Sequence, residues 1–348
     1  MNFLKKMVSG IDNANLLSEG GNSSEFSGTY DTGSYALNAL ISGSIYGGVP
    51  NNKITAFAGE SSTGKTFFVL GVIKTFLDTT ENGGVIYFDT EAAVTKDMME
   101  TRGIDTSRVV IAEPTSIEEF RTGATRILTS YIETPKDERR PMMMVLDSLG
   151  MLSSNKELED TESGKGARDM TKAQLLRGTF RVLSLKLAKA QVPMLVTNHV
   201  YDVIGSYFPQ KEISGGSGLK YAASSIIMLG RKKDKDGNEI VGNIIKATTH
   251  KSRFTKEGKK AEVKLSFDKG LDRYYGLLEL AEKYEIIKKT STRYEMPDGS
   301  KVFGKTINSN PEKYYTEEIL NQLDAAANKE YLYGQTTEEH KNDDTAEI

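Results

Sequence analysis

The chain has 348 residues, 38% of them hydrophobic and 27% charged, with a net charge of −3 and no cysteine. That length can bury a large core, and the lack of thiols excludes disulfides, thiolate metal sites and cysteine nucleophiles. No apolar run approaches the roughly 18 residues a membrane-spanning helix needs, and no hydrophobic block follows the N-terminal lysines as it would in a signal peptide.

Residues 1–36 begin with two lysines and pass into the run Ser18, Glu19, Gly20, Gly21, Asn22, Ser23, Ser24. This composition predicts a short helix on a flexible arm. From 37 to 267 short apolar runs alternate with longer stretches of helical period. The runs are 54–58, 85–88, 109–112, 142–146, 194–197 and 226–229. Apolar runs separated by helices are what a parallel sheet covered on both faces requires. Ahead of Met194, the residues Leu176, Phe180, Leu183 and Leu187 recur at helical spacing, so one helix should bury that stripe. The expected class is α/β, with a mostly parallel central sheet flanked by helices.

The first run leads into Gly59, Glu60, Ser61, Ser62, Thr63, Gly64, Lys65 and Thr66, a full match to G-x-x-x-x-G-K-[ST]. Between a strand and a helix, the glycines let backbone N–H groups face phosphates at a helix N-terminus. Lys65 then reaches the terminal phosphates of ATP, and Thr66 is a ligand for Mg²⁺. The run 142–146 ends in Asp147, the form of a Walker B strand whose acid holds the same metal shell. The run 85–88 is followed by Asp89, Thr90 and Glu91. A carboxylate there either orients the attacking water or opens the next loop, and spacing alone does not choose.

Between Arg231 and Lys260 there are ten basic residues against four acidic ones. Beyond 267 the pattern changes. A helix is predicted over 274–287, a hairpin over 294–303 around Asp298-Gly299, and a last helix over 315–328. An acidic stretch from Glu338 to Glu347 ends the chain. The expected division is an N-terminal arm (1–36), a nucleotide-binding core (37–267), a small α+β domain (268–330) and an acidic tail without fixed structure (331–348).

Taken in order, Gly59–Thr66, Asp89-Thr90-Glu91, Asp147-Ser148, Thr197-Asn198-His199 and Ser214-Gly215-Gly216-Ser217-Gly218-Leu219-Lys220 resemble the ATPase core of RecA-family recombinases, with the tailed-phage UvsX-type branch closest. Arg102-Gly103-Ile104-Asp105 and Leu271–Leu278 extend the likeness, which covers about 37–320. The resemblance implies a DNA-dependent ATPase that forms helical filaments on single-stranded DNA and exchanges strands with homologous duplex, using ATP and Mg²⁺.

It further implies that Glu91 activates water and that His199, where the wider family has glutamine, senses the γ-phosphate. Lys251 and Arg253 would reach the ATP of the neighbouring subunit. Two loops would bind DNA. The first, 153–165, would act through Lys156, Lys165 and nearby Arg168. The second, 201–218, would use Tyr201, Tyr207, Phe208, Lys211, Gly215, Gly216, Ser217 and Gly218, by base stacking and phosphate contact. The residues alone also allow blander roles: a hydrogen-bonded histidine at a strand end, mobile polar loops, a solvated basic face and a solubilising tail. The implied setting is the cytoplasm, the bacterial host's for a phage protein, with no membrane and with a recombination mediator and a single-strand-binding protein as partners. Competing readings are a ring-shaped RecA-fold helicase, for which the 58 residues ahead of Gly59 are few, and a nucleotide-gated regulator that binds DNA.

Overall fold

The computed structural model describes residues 3–7, 16, 18, 25, 27–164, 171–202, 211–267 and 270–334. Half of the 1–36 arm and the acidic stretch from 335 onward lie outside these residues.

In chain order, α1 (Phe3–Met7) precedes β1 (Thr29–Tyr30), α2 (Tyr35–Ser42) and β2 (Val49–Pro50). Next come β3 (Ile54–Gly59), α3 (Lys65–Thr79), β4 (Gly84–Asp89), α4 (Lys96–Glu100), β5 (Val109–Ala112), α5 (Ile117–Glu133) and β6 (Met142–Asp147). They are followed by α6 (Asn155–Glu162), α7 (Lys172–Ala190), β7 (Met194–Asp202), β8 (Lys211–Ile213), α8 (Ser217–Ala222), β9 (Ser225–Asp236), β10 (Glu239–Ser252), β11 (Lys260–Ser266) and β12 (Gly270–Leu271).

Ten strands make one sheet in the order β12-β11-β10-β9-β3-β7-β6-β4-β5, with β8 paired to β7. From β9 to β5 every neighbour is parallel, as the apolar runs predict. From β9 to β12 the sheet is antiparallel. This extension is a finding beyond the sequence reading, which saw the 231–260 segment only as a basic stretch. Most of the segment belongs to the long β9–β10 hairpin, which carries exposed Lys232, Lys233 and Lys235 on β9 and turns at Asp236-Gly237, with Gly237 at φ 61°.

Period two divides the parallel strands between two cores. Val85, Tyr87, Met143, Val145 and Leu195 face α3, together with α2 and the C-terminal helices. Phe88, Met144, Leu146, Met194 and Val196 face α5 and α7. The predicted stripe Leu176, Phe180, Leu183 and Leu187 is fully buried on α7.

After β12 come α9 (Leu277–Lys283), β13 (Lys288–Thr290), β14 (Arg293–Glu295), β15 (Lys301–Val302), α10 (Gly304–Ser309), α11 (Pro311–Tyr314) and α12 (Glu317–Tyr331). The hairpin expected around Asp298-Gly299 is β14–β15, extended by β13 into a three-stranded sheet. Leu277, Leu280, Leu323 and Ala327 share one hydrophobic cluster with Leu37, Leu40 and Phe68. Asp324 on α12 also accepts hydrogen bonds from the Ser44 hydroxyl at 2.6 Å and the Ile45 amide at 2.8 Å.

One expectation is corrected. The stretch 153–165, read as a loop, is helical over Asn155–Glu162. Ser154 accepts a hydrogen bond from the Glu157 amide at 3.1 Å, an N-cap that satisfies one free donor of the first turn. Glu157, in that turn, also pairs with Lys172 at 3.1 Å.

Candidate functional site at the carboxyl edge of the parallel strands

Ligands of open α/β sheets gather beyond the carboxyl ends of the strands, and the predicted residues converge there. The turn from β3 to α3 is tight. A Cβ at Gly59 would lie 2.9 Å from the Leu229 carbonyl oxygen. Gly64 caps α3 at φ 83°, ψ 24°, a left-handed conformation that glycine adopts without steric cost. Lys65, buried, donates to the carbonyls of Gly59 at 3.1 Å and Glu60 at 2.9 Å. Burial lowers its pKa, while the Glu91 and Asp147 carboxylates oppose that shift.

Thr66 donates to Asp147 Oδ2 at 2.7 Å, so the two residues expected to hold Mg²⁺ sit side by side. A hydroxyl and a carboxylate are the hard oxygen donors that Mg²⁺ selects, and the site fits that ion. Thr197 donates to Asp147 Oδ1, and the Tyr87 hydroxyl donates to Oδ2 at 2.6 Å.

Asp89 and Glu91 separate clearly. Asp89 accepts from the amides of Glu91, Ala93 and Val94, each at 3.0 Å, and so shapes its own loop. Glu91 points into the site, where Oε1 accepts from the Ser148 hydroxyl at 2.6 Å and lies 3.0 Å from His199 Nε2. His199 Nδ1 is 3.4 Å from Lys65 Nζ. The two ring nitrogens of His199 thus link the Glu91 carboxylate to the Lys65 ammonium. Burial pushes the Glu91 carboxyl up, but hydrogen bonds from Ser148 and His199 and the Lys65 charge outweigh it, leaving the pKa below the ordinary carboxylate value.

Glu60, Ser61 and Ser62 are exposed and Thr63 is buried, its hydroxyl donating to the Glu60 carbonyl at 2.9 Å. The Glu60 carboxylate is paired with Lys211, the first residue of β8. The phosphate loop and the second expected DNA loop therefore touch within one chain. Beside the loop a cavity of about 810 Å³ is lined by Ser62, Gly64, Phe67, Lys74, Arg102 and Arg231, among others. The Arg102 guanidinium lies 4.3 Å from the Phe67 ring centroid.

Of the expected DNA-binding residues, Lys156, Tyr201, Lys211 and Gly216 are exposed, while Gly218 is buried. Lys165, Arg168, Tyr207 and Phe208 lie outside the described residues. The glycine cluster has structural roles of its own. Gly215 and Gly216 have φ of 80° and 71°, and a Cβ at Gly218 would lie 2.9 Å from the Arg177 backbone nitrogen. Ser217 accepts from Arg177 at 2.8 Å.

Lys251 and Arg253 stand apart from the phosphate cluster. Lys251 donates to the carbonyls of Lys220 at 2.5 Å and Ala223 at 2.8 Å, and Arg253 to that of Tyr221 at 3.1 Å. Within the chain they cap the carboxyl end of α8.

Sequence reasoning gave Tyr87, Ser148 and Thr197 no contact at this site. A hydroxyl inside each apolar strand or at its end was the available signal, because buried hydroxyls need partners.

A family model described as the RecA N-terminal domain matches residues 4–272. The recombination and repair protein of Enterobacteria phage T4 is 28% identical over 253 residues, 73% of this chain and 63% of that protein. The RecA protein of Malacoplasma penetrans is 29% identical over 252 residues, 71% of this chain and 72% of its own. The RecA protein of Bacteroides thetaiotaomicron is 27% identical over 338 residues, 94% of this chain and 96% of its own. Among solved structures, the RadB recombinase aligns at a TM-score of 0.49 and 23% identity over 70% of this chain and 99% of that one.

Proposed function

Because the chain belongs to the RecA family, we propose that it is an ATP-dependent DNA recombinase, assembling as a filament on single-stranded DNA and pairing it with homologous duplex. The observation that carries the chemistry is the linked set Lys65, Thr66, Asp147, Glu91 and His199 at one sheet edge. Such a set suits hydrolysis of a nucleoside triphosphate, in which positioning and charge stabilisation do most of the work.

The loop Gly59–Thr66 holds the phosphates, and Lys65 exchanges its two carbonyl partners for phosphate oxygens. Thr66 and Asp147 hold Mg²⁺, which neutralises phosphate charge when bound. Glu91, fixed by Ser148 and His199, orients and deprotonates the water that attacks the γ-phosphorus, with ADP as the leaving group. His199, in contact with both Glu91 and Lys65, reports the nucleotide state to β8, which pairs with the end of its own strand from Val200 onward.

DNA is held through Lys156, Lys165, Arg168, Tyr201, Tyr207, Phe208, Lys211 and the 215–218 cluster. Phosphate contacts supply most of the affinity, and base pairing supplies the sequence choice. Lys251 and Arg253 act on the ATP of the next protomer. Filament assembly is also supported by β5, an edge strand exposing Val110 and Ile111, since an apolar edge is open to pairing with a second copy. We place this activity in the cytoplasm, with a mediator and a single-strand-binding protein as partners. No described helix is long and apolar enough to cross a membrane.

Single-strand-stimulated ATPase measured beside joint-molecule formation tests the reading. Both activities are expected. Directional unwinding of a forked duplex instead would point to a helicase, and neither activity to a nucleotide-gated regulator.

A further inference from the structure

Tyr87 sits in the middle of β4 with its side chain wholly buried against the α3 face. A buried phenol in an apolar strand costs free energy unless its hydroxyl finds a partner. Here the partner is Asp147 Oδ2 at 2.6 Å. The register makes this contact possible. Tyr87 is level with Val145 on β6, and Asp147 lies two residues further along on the same face. The hydroxyl therefore reaches forward one side-chain step to the carboxylate.

Three donors from three elements converge on Asp147: Thr66 from α3, Tyr87 from β4 and Thr197 from β7. They are not equivalent. Thr66 is expected to turn toward a metal, and Thr197 serves the other oxygen. Tyr87 alone secures Oδ2 from inside the core, through a fully buried ring. A phenylalanine would fill nearly the same space and leave Oδ2 with Thr66 only.

Resting on the reading of Asp147 as a Mg²⁺-holding group, we infer that Tyr87 is a positioning residue for that carboxylate. It fixes the orientation in which Asp147 meets the metal and thereby sets the Mg²⁺ requirement of nucleotide binding. The role belongs to the phenolic oxygen, not to the ring. Groups that orient a metal-binding carboxylate from behind typically alter metal affinity by about tenfold or more when removed.

The test compares wild type with Tyr87→Phe, and with Tyr87→Met as a second variant lacking ring and hydroxyl alike. Binding of a fluorescent ATP analogue is titrated at fixed nucleotide over a range of Mg²⁺, and again in EDTA, with a melting curve on each preparation. Folded variants are expected to bind nucleotide in EDTA as wild type does and to need about tenfold more Mg²⁺ for half-maximal metal-dependent binding. A midpoint within twofold of wild type in either folded variant overturns the inference while leaving the ATPase reading intact. Equal weakening with and without Mg²⁺ also overturns it, because the ring would then be serving the pocket as a whole. If wild type itself shows no Mg²⁺ dependence, the reading of Asp147 fails and the inference fails with it.

Discussion

At the scale of single residues, Glu91 is the group whose surroundings best match a task. Its carboxylate is half-buried yet kept ionised by Ser148, His199 and Lys65. Glu91→Gln keeps the shape and removes the base, so DNA-stimulated turnover should fall by about 10²–10⁴-fold with ATP and DNA binding retained. Steady-state ATPase beside filter binding measures both, and unaltered turnover removes Glu91 from the chemistry. The sign of the pKa shift adds a second reading. A carboxyl with its folded pKa held down stabilises the fold above its unfolded pKa and loses that contribution only as pH falls through the lower folded value. The base form should therefore survive mild acid, and the acid limb of the pH–rate profile should fall below the ordinary glutamate range.

At the scale of elements, two contacts join parts that are distant in sequence. The Lys211–Glu60 pair ties the start of β8 to the phosphate loop. Lys211→Ala should weaken single-strand binding and reduce the slope of log affinity against log salt by about one. A salt titration of binding reads this, and an unchanged slope takes Lys211 off the DNA. The second contact is Glu330 on α12, which pairs with Lys259 at 2.7 Å and Lys283 at 2.6 Å and accepts from the Tyr284 hydroxyl at 3.0 Å. Burial raises its pKa, but the two lysines bring it below the ordinary value. Glu330→Gln should cost about 1 kcal/mol at neutral pH, because the lysine ends are partly solvated. The difference from wild type should shrink as pH falls through the folded pKa of Glu330. Urea melts at pH 7 and in acid would show a constant difference if the lysines contributed nothing.

At the scale of the whole molecule, the proposed filament makes Lys251 and Arg253 act across the junction between protomers. Lys251 and Arg253 cap α8 within their own chain, and a cap and a cross-subunit contact predict different mixing behaviour. The double variant Lys251→Ala, Arg253→Ala should lose DNA-stimulated turnover while staying folded. Mixed with Glu91→Gln protein, it should regain activity, because one junction then combines an intact Glu91 with an intact basic pair from the neighbour. A mixture as inactive as its two components would assign the basic pair to α8 alone.

Several features could be read without coordinates because short-range patterning fixes them. The loop Gly59–Thr66 is such a case: its glycines and its place between a strand and a helix suffice to define a phosphate cradle. The six apolar runs are another, since run length and composition alone mark strands of a parallel sheet, although 109–112 proves to be an exposed edge. Neither the β9–β10 hairpin nor α6 was legible: α6 buries no residue and rests on its cap, and the alternating Ile245, Ala247 and Thr249 of β10 stand in a lysine-rich stretch that hides their period. The resemblance already pointed to Glu91, but what Asp89 does instead required the fold. Asp89 ends β4 and Glu91 lies two residues beyond it, and only the packed structure shows the Asp89 carboxylate spent on three amides. The meeting of Tyr87, Thr66 and Thr197 on Asp147 depends on strand order and register, and those are set by long-range packing that no local pattern encodes.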